Sequence, residues 1–330
     1  MASEPKRDNM PDGVAQRLDS GGRGAMFVKE TTSLDPISYS GDCPFWSTDL
    51  YAVAAPDAAD PAAEPVTVCE FTGARLKISR RTAAMPYTLR RVDADELHFV
   101  HKGHATFLTE AGTLDVPAGR FVFITRGVGY RIVPDSGEFM SVIFESDQQL
   151  HLTENAERYG IPLVPPSPSL PMALDDGVGR TEWEERLKTA SWSLSVVRPY
   201  DPVLTTEVRM DELPVFALDV ETVPAHEPDG DRRGQPFVIF DGTGFHLEVV
   251  MPTTAMPFYH RNVRANETQF VHHGSGDRFS TLGYVDAPEG TLNNYPKGID
   301  HRIGERSGPG IGLIWETEGD VTLAPGISLK

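Results

Sequence analysis

TGARLKISRRTAAMPYTLRRVDADELHFVHKG, Thr72–Gly103, returns later in the chain as TGFHLEVVMPTTAMPFYHRNVRANETQFVHHG, Thr243–Gly274. The offset of 171 residues then holds without a gap through Ile132 and Ile303, and 22 of those 61 positions are identical. Identities gather at Gly73/Gly244, Pro86/Pro257, Gly103/Gly274, Gly112/Gly283, Pro117/Pro288, Gly119/Gly290 and Gly127/Gly298. Glycine and proline serve turns and rigid bends, so a shared set of them implies a shared fold. A duplicated domain follows.

Each copy reads as short strands separated by glycine or proline. RLKIS, LHFVH, ATFLTE, TLDVP and FVFITR stand in the first copy, and FHLEVVM, TQFVHH, GYVDA and GIGLIWETE in the second. That spacing predicts antiparallel sandwiches or barrels. The 30 Gly and 27 Pro of the 330 residues agree with a turn-rich, all-β chain. ERYGIPLVPPSPSLPMALDDG separates the copies, and Trp183, Leu187 and Trp192 predict a short helix at Thr181–Ala190. The expected plan is a disordered arm at 1–25, a first barrel at 26–160, a connector with that helix at 161–195, and a second barrel at 196–330. Residues 26–70 are expected to give edge strands to the first barrel.

With 30 Lys and Arg against 48 Asp and Glu, the net charge is −18. That excludes a basic footprint for nucleic acid or an anionic membrane. The polar N-terminus shows no apolar leader, no run is long and apolar enough to span a membrane, and two cysteines make no disulfide framework. A cytoplasmic protein is expected.

The informative differences between the copies lie at three positions. His260, Glu267 and His301 of the second copy face Leu89, Glu96 and Tyr130 of the first. Two histidines and one carboxylate on a β-barrel suit a facial triad for non-heme Fe(II), with positions left open for O₂ and a chelating substrate. Strand parity puts Asn262 beside His260, with Tyr259 flanking it, and makes His246 and His273 further candidates for substrate contact. Arg264, Arg278 and Lys297 are candidates for a substrate carboxylate. His101 repeats as His272 and so reads as structural, bonding a turn carbonyl.

The segment YHRNVRANE, then APEG and PKGIDH, resembles the paired motifs of the cupin superfamily, and PFYHRN resembles the homogentisate 1,2-dioxygenase family. The resemblance implies a bicupin of two jelly-roll barrels in which the first has lost its ligands. It implies one Fe(II) per chain at His260, Glu267 and His301, and His226 as an acid/base beside the substrate. The implied activity is O₂-dependent cleavage or oxidation of a dihydroxylated aromatic acid of homogentisate or gentisate type. A homodimer is expected by the same analogy. Another cupin oxygenase, a metal-dependent isomerase and a non-catalytic effector-binding cupin stand as alternatives.

Overall fold

A computed structural model describes residues 14–19, 26–31, 38, 40–135, 137–168, 180–210, 212–221, 237–253, 259–274, 276–280, 283–306 and 310–330. The strands, in chain order, begin with β1 (Val14–Asp19), β2 (Met26–Thr31), β3 (Trp46–Asp49) and β4 (Val66–Phe71). The first repeat holds β5 (Ala74–Arg81), β6 (Tyr87–Arg91), β7 (Asp95–Lys102), β8 (His104–Thr109), β9 (Gly112–Pro117), β10 (Arg120–Ile124), β11 (Gly129–Pro134) and β12 (Phe139–Ser146). Between the repeats come β13 (His151–Leu152), β14 (Leu163–Val164), β15 (Trp183–Lys188), β16 (Ser193–Arg198), β17 (Val215–Asp219) and β18 (Phe237–Gly242). The second repeat holds β19 (Phe245–Thr253), β20 (Tyr259–Asn262), β21 (Asn266–His273), β22 (Gly276–Ser280), β23 (Gly283–Ala287), β24 (Thr291–Tyr295), β25 (Asp300–Arg306) and β26 (Gly310–Thr317), followed by β27 (Thr322–Leu323).

Each repeat folds as a jelly roll of two facing sheets. In the first, β10-β7-β12-β5 opposes β6-β11-β8-β9; in the second, β24-β21-β26-β19 opposes β20-β25-β22-β23. The strands correspond one to one at the sequence offset, and β7/β21, β10/β24 and β12/β26 match to the residue. The duplicated all-β architecture read from the repeat, two jelly-roll barrels, is therefore the observed one.

The larger sheets of the two barrels pack back to back. Leu76, Phe99, Phe121 and Phe144 of one meet Leu247, Phe270, Leu313 and Trp315 of the other in a shared apolar core. Because side chains alternate along a strand, the opposite set points into each barrel. In the first barrel that inward set is largely apolar, with Leu89, Val100, Phe107, Val122, Ile124, Tyr130 and Ile132 packed together. In the second, among the described residues, Val250 and Ile314 form the one apolar cluster inside.

Three expectations are corrected. Thr181–Ala190 holds no helix: Trp183–Lys188 is β15, a hairpin with β16 that adds in parallel to β6. Buried Glu185 accepts bonds from Arg90 (2.8 Å) and Arg198 (2.6 Å), and the Arg186 guanidinium lies 3.6 Å from the Tyr87 ring centre. These tertiary contacts outweigh the helical spacing of the two tryptophans and Leu187. The described helices are α1 (Asn155–Arg158) and α2 (Pro202–Thr205). Within residues 1–25, Val14–Asp19 is not structureless but pairs with β2. Finally, residues 26–70 do not all serve the first barrel. β2 pairs with β20 and β3 with β24, both in the second barrel, while β4 joins the first. In exchange β14, β17 and the C-terminal β27 extend the first barrel's sheet.

Candidate metal centre

β20, β21 and β25 carry the three predicted ligands. His260 and His301 stand directly opposite each other in the β20–β25 pair. For Tyr259 and His260 the backbone alone is described, and His226 lies outside the described residues. Glu267 begins β21 on the facing sheet and is buried, as is His301. The two meet inside the barrel, with His301 Nε2 2.8 Å from Glu267 Oε2.

The donor set fits a metal ion. His301 Nδ1 lies 3.0 Å from the carbonyl oxygen of Ile299, which can only accept, so this nitrogen carries the ring proton. Nε2 lies at hydrogen-bond distance from a carboxylate oxygen that only accepts, a contact that calls for either a second ring proton or a cation shared by the two groups. Such an arrangement, with the far ring nitrogen fixed by a backbone carbonyl, is how metal-binding histidines are oriented. The ring is also stacked on Tyr295 at 4.5 Å.

Around this pair lies a chain of polar side chains. Asn262 donates from Nδ2 to Glu267 Oε2 (2.7 Å) and to Glu316 Oε1 (3.0 Å). Gln269 donates to the other oxygen of Glu267 at 2.5 Å. His246 Nε2 lies 3.0 Å from Glu316 and 3.2 Å from Glu248. Burial opposes charge on His246, but its bonds to Glu248 and Glu316 raise its pKa to about 10. Burial pushes Glu248 up to about 7. Asn293, fully buried, has no hydrogen-bond partner for either amide atom among the described residues.

The structure thus brings together Glu267, His301, Asn262 and His246. His273 does not join them. The register of β21 against β26 shifts after Val271, which turns His273 outward to Glu221 at 2.6 Å. The parity that pointed it inward is broken there. Arg264 is exposed and pairs with Glu318, while Lys297 is also exposed. Among the described residues, the side chains of His101 and His272 bond to each other and not to a turn carbonyl. Their Nδ1 atoms meet at 2.7 Å in the seam between the barrels.

Sequence reading missed Glu316, Asn293 and Tyr295. The signal for Glu316 was available, because it lies at the repeat offset from Glu145. In the first barrel Glu145 is held by Arg75, Lys77 and Arg91. The corresponding residues around Glu316 are His246, Glu248 and Asn262. One barrel neutralises its interior with its own fixed cations, and the other has replaced all three.

No family model matches the chain. The chain aligns along most of its length with several solved structures at low sequence identity. A mutant of Bacillus subtilis oxalate decarboxylase aligns at 13% identity over 87% of this chain and 81% of that one, with a TM-score of 0.48. A putative glyoxylate-induced protein from Pseudomonas aeruginosa aligns at 11% identity, over 87% of each chain, with a TM-score of 0.46. A cupin 2 conserved barrel domain protein from Leptotrichia buccalis aligns at 8% identity, over 78% of this chain and 97% of that one, with a TM-score of 0.43. Among the described residues, no helix is long and apolar enough to cross a membrane.

Proposed function

We infer that the second barrel is a metal-dependent oxygenase site, acting with O₂ on a dihydroxylated aromatic acid. The observation that carries this reading is the contrast between the two interiors. The first is packed with apolar side chains and internally neutralised. The second offers Glu248, Glu267 and Glu316 with His246 and His301, and none of the first barrel's three fixed cations.

His260, Glu267 and His301 would hold one Fe(II), which when bound supplies a site for O₂ and for two neighbouring substrate oxygens. The rest is the work of the chain. Asn262 holds Glu267 and Glu316 apart by donating to both, which fixes the ligand carboxylate. Gln269 fixes its other oxygen. Tyr295 stacks on His301 and sets the plane of that ring. Asn293 offers a donor and an acceptor in the lumen, suited to a substrate hydroxyl or carboxylate. His246, protonated at neutral pH, offsets part of the negative charge of Glu248 and Glu316. The resemblance to the homogentisate 1,2-dioxygenase family would give His226 the removal of a phenolic proton.

The test is anaerobic Fe(II) reconstitution of the full chain, followed by metal analysis and O₂ uptake with homogentisate, gentisate and catechols. One iron per chain, lost in His301→Ala, with substrate-dependent O₂ uptake, is expected. Absence of iron binding, or binding unchanged in His301→Ala, would overturn the assignment.

A further inference from the structure

A second cluster lies outside the lumen, where the barrels meet. Glu221 follows β17, which is paired into the first barrel, whereas His272 and His273 end β21 of the second. Glu221 Oε1 is 3.1 Å from His272 Nε2 and 2.6 Å from His273 Nε2. The three ligand atoms lie within 4.8 Å of one another. We propose that Glu221, His272 and His273 bind a zinc-class divalent ion that ties the two barrels together.

The hydrogen bonds leading away from the cluster carry the argument. Tyr51 Oη donates to Glu289 Oε1 at 2.7 Å, since an ionised carboxylate only accepts. The Tyr51 oxygen also lies 2.7 Å from His101 Nε2, so it accepts that ring's proton. His101 Nδ1 is then bare and accepts from His272 Nδ1, 2.7 Å away. The one proton of a neutral His272 is thereby directed inward, and its Nε2 turns a lone pair toward Glu221. On the other side His273 Nε2 points at the same carboxylate oxygen of Glu221, and its Nδ1, 3.7 Å from Glu289 Oε2, is free to carry the ring proton.

Two imidazole lone pairs and a carboxylate oxygen so converge, and a divalent cation satisfies all three with every group in its ordinary protonation state. Without a cation the network is one proton short and must charge a ring. His272 is fully buried and edge-on to Phe99 at 4.7 Å, where a charged ring is disfavoured. Two histidines and a glutamate with open positions match zinc's habits, and His272 carries an acceptor for its second nitrogen in His101 Nδ1. Gly119 makes the approach possible, because a Cβ there would stand 2.1 Å from Glu221 Cγ.

The experiment uses the full chain, stripped with chelator and carrying His301→Ala with His246→Ala to remove the histidine ligands of the two metal-competent groups in the lumen. Titration with Zn(II) by calorimetry, and with Co(II) by absorption, is expected to show one ion per chain and a zinc-dependent rise in Tm. Adding Glu221→Gln and His273→Ala abolishes that equivalent and the rise. Both side chains are partly exposed, so the apo melting temperature stays unchanged; His273→Ala alone serves if the combined variant folds poorly. Tyr51→Phe, which touches no metal, weakens binding by about 10-fold through the His101–His272 pair. No zinc uptake by the chain carrying His301→Ala with His246→Ala, or equal uptake with and without the Glu221 and His273 substitutions, would overturn the proposal.

Discussion

His98 sits fully buried inside the first barrel, edge-on to Phe107 and Tyr130, and neither ring nitrogen has a hydrogen-bond partner among the described residues. Burial lowers its pKa to about 3, against 6.5 in the unfolded chain. Below pH 6.5 the unfolded chain therefore binds a proton that the folded one refuses, and stability is lost as pH falls toward 3. His98→Leu removes both the unpaired nitrogens and this linkage. It is expected to raise unfolding stability by about 1–2 kcal/mol at pH 7 and by more at pH 5, measured by denaturant titration at the two values. An unchanged difference between pH 7 and pH 5 would show that the ring is not held neutral. At this scale the sequence was legible where copies could be compared. The Leu89/His260 and Tyr130/His301 contrasts pointed to the candidate site. Asn293 stayed hidden, because nothing local marks a buried amide whose partner is not a neighbour in the chain.

The strand hairpin β15–β16 shows what an element gains from its edge. Its backbone extends β6, and Glu185 anchors it between Arg90 and Arg198. Glu185→Ala is expected to cost about 1–3 kcal/mol, since each bond is charge-assisted but both arginines keep some exposure to water. Hydrogen exchange should rise across 183–198 with the rest of the barrel unaffected; uniform loss of protection would mean that the hairpin is not a separate unit. Five of the eight strands of the first repeat and four of the eight of the second were legible as apolar or alternating runs between glycine and proline. The helix expected at Thr181–Ala190 was misread for the converse reason. A polar segment of mixed spacing takes its conformation from whatever edge it meets, and that edge lies some hundred residues away in sequence.

Across the whole molecule, two barrels of one design differ in how their interiors are charged. Arg75, Lys77 and Arg91 face Glu145 in the first, and His246, Glu248 and Asn262 face Glu316 in the second. Transplanting the first pattern tests the meaning of this difference. The double variant Glu248→Lys with Asn262→Arg should keep the far-ultraviolet dichroism and elution volume of the parent. It should lose stoichiometric lumen metal, because a fixed cation then occupies the field that Glu316 and Glu267 create. Retained metal with an intact fold would show that the acidic interior is incidental to binding.

The exchange of edge strands has a genealogical consequence. The N-terminal β2 sets Val28 opposite His260, and the C-terminal β27 sets Leu323 opposite Cys69 of the other barrel. A cut in the connector would leave each fragment holding a strand that belongs to its sister. Such halves should be insoluble when expressed singly and recover a folded particle when co-expressed. The duplication is thus locked. The first barrel cannot be deleted by descent without exposing the apolar face that it shares with the second.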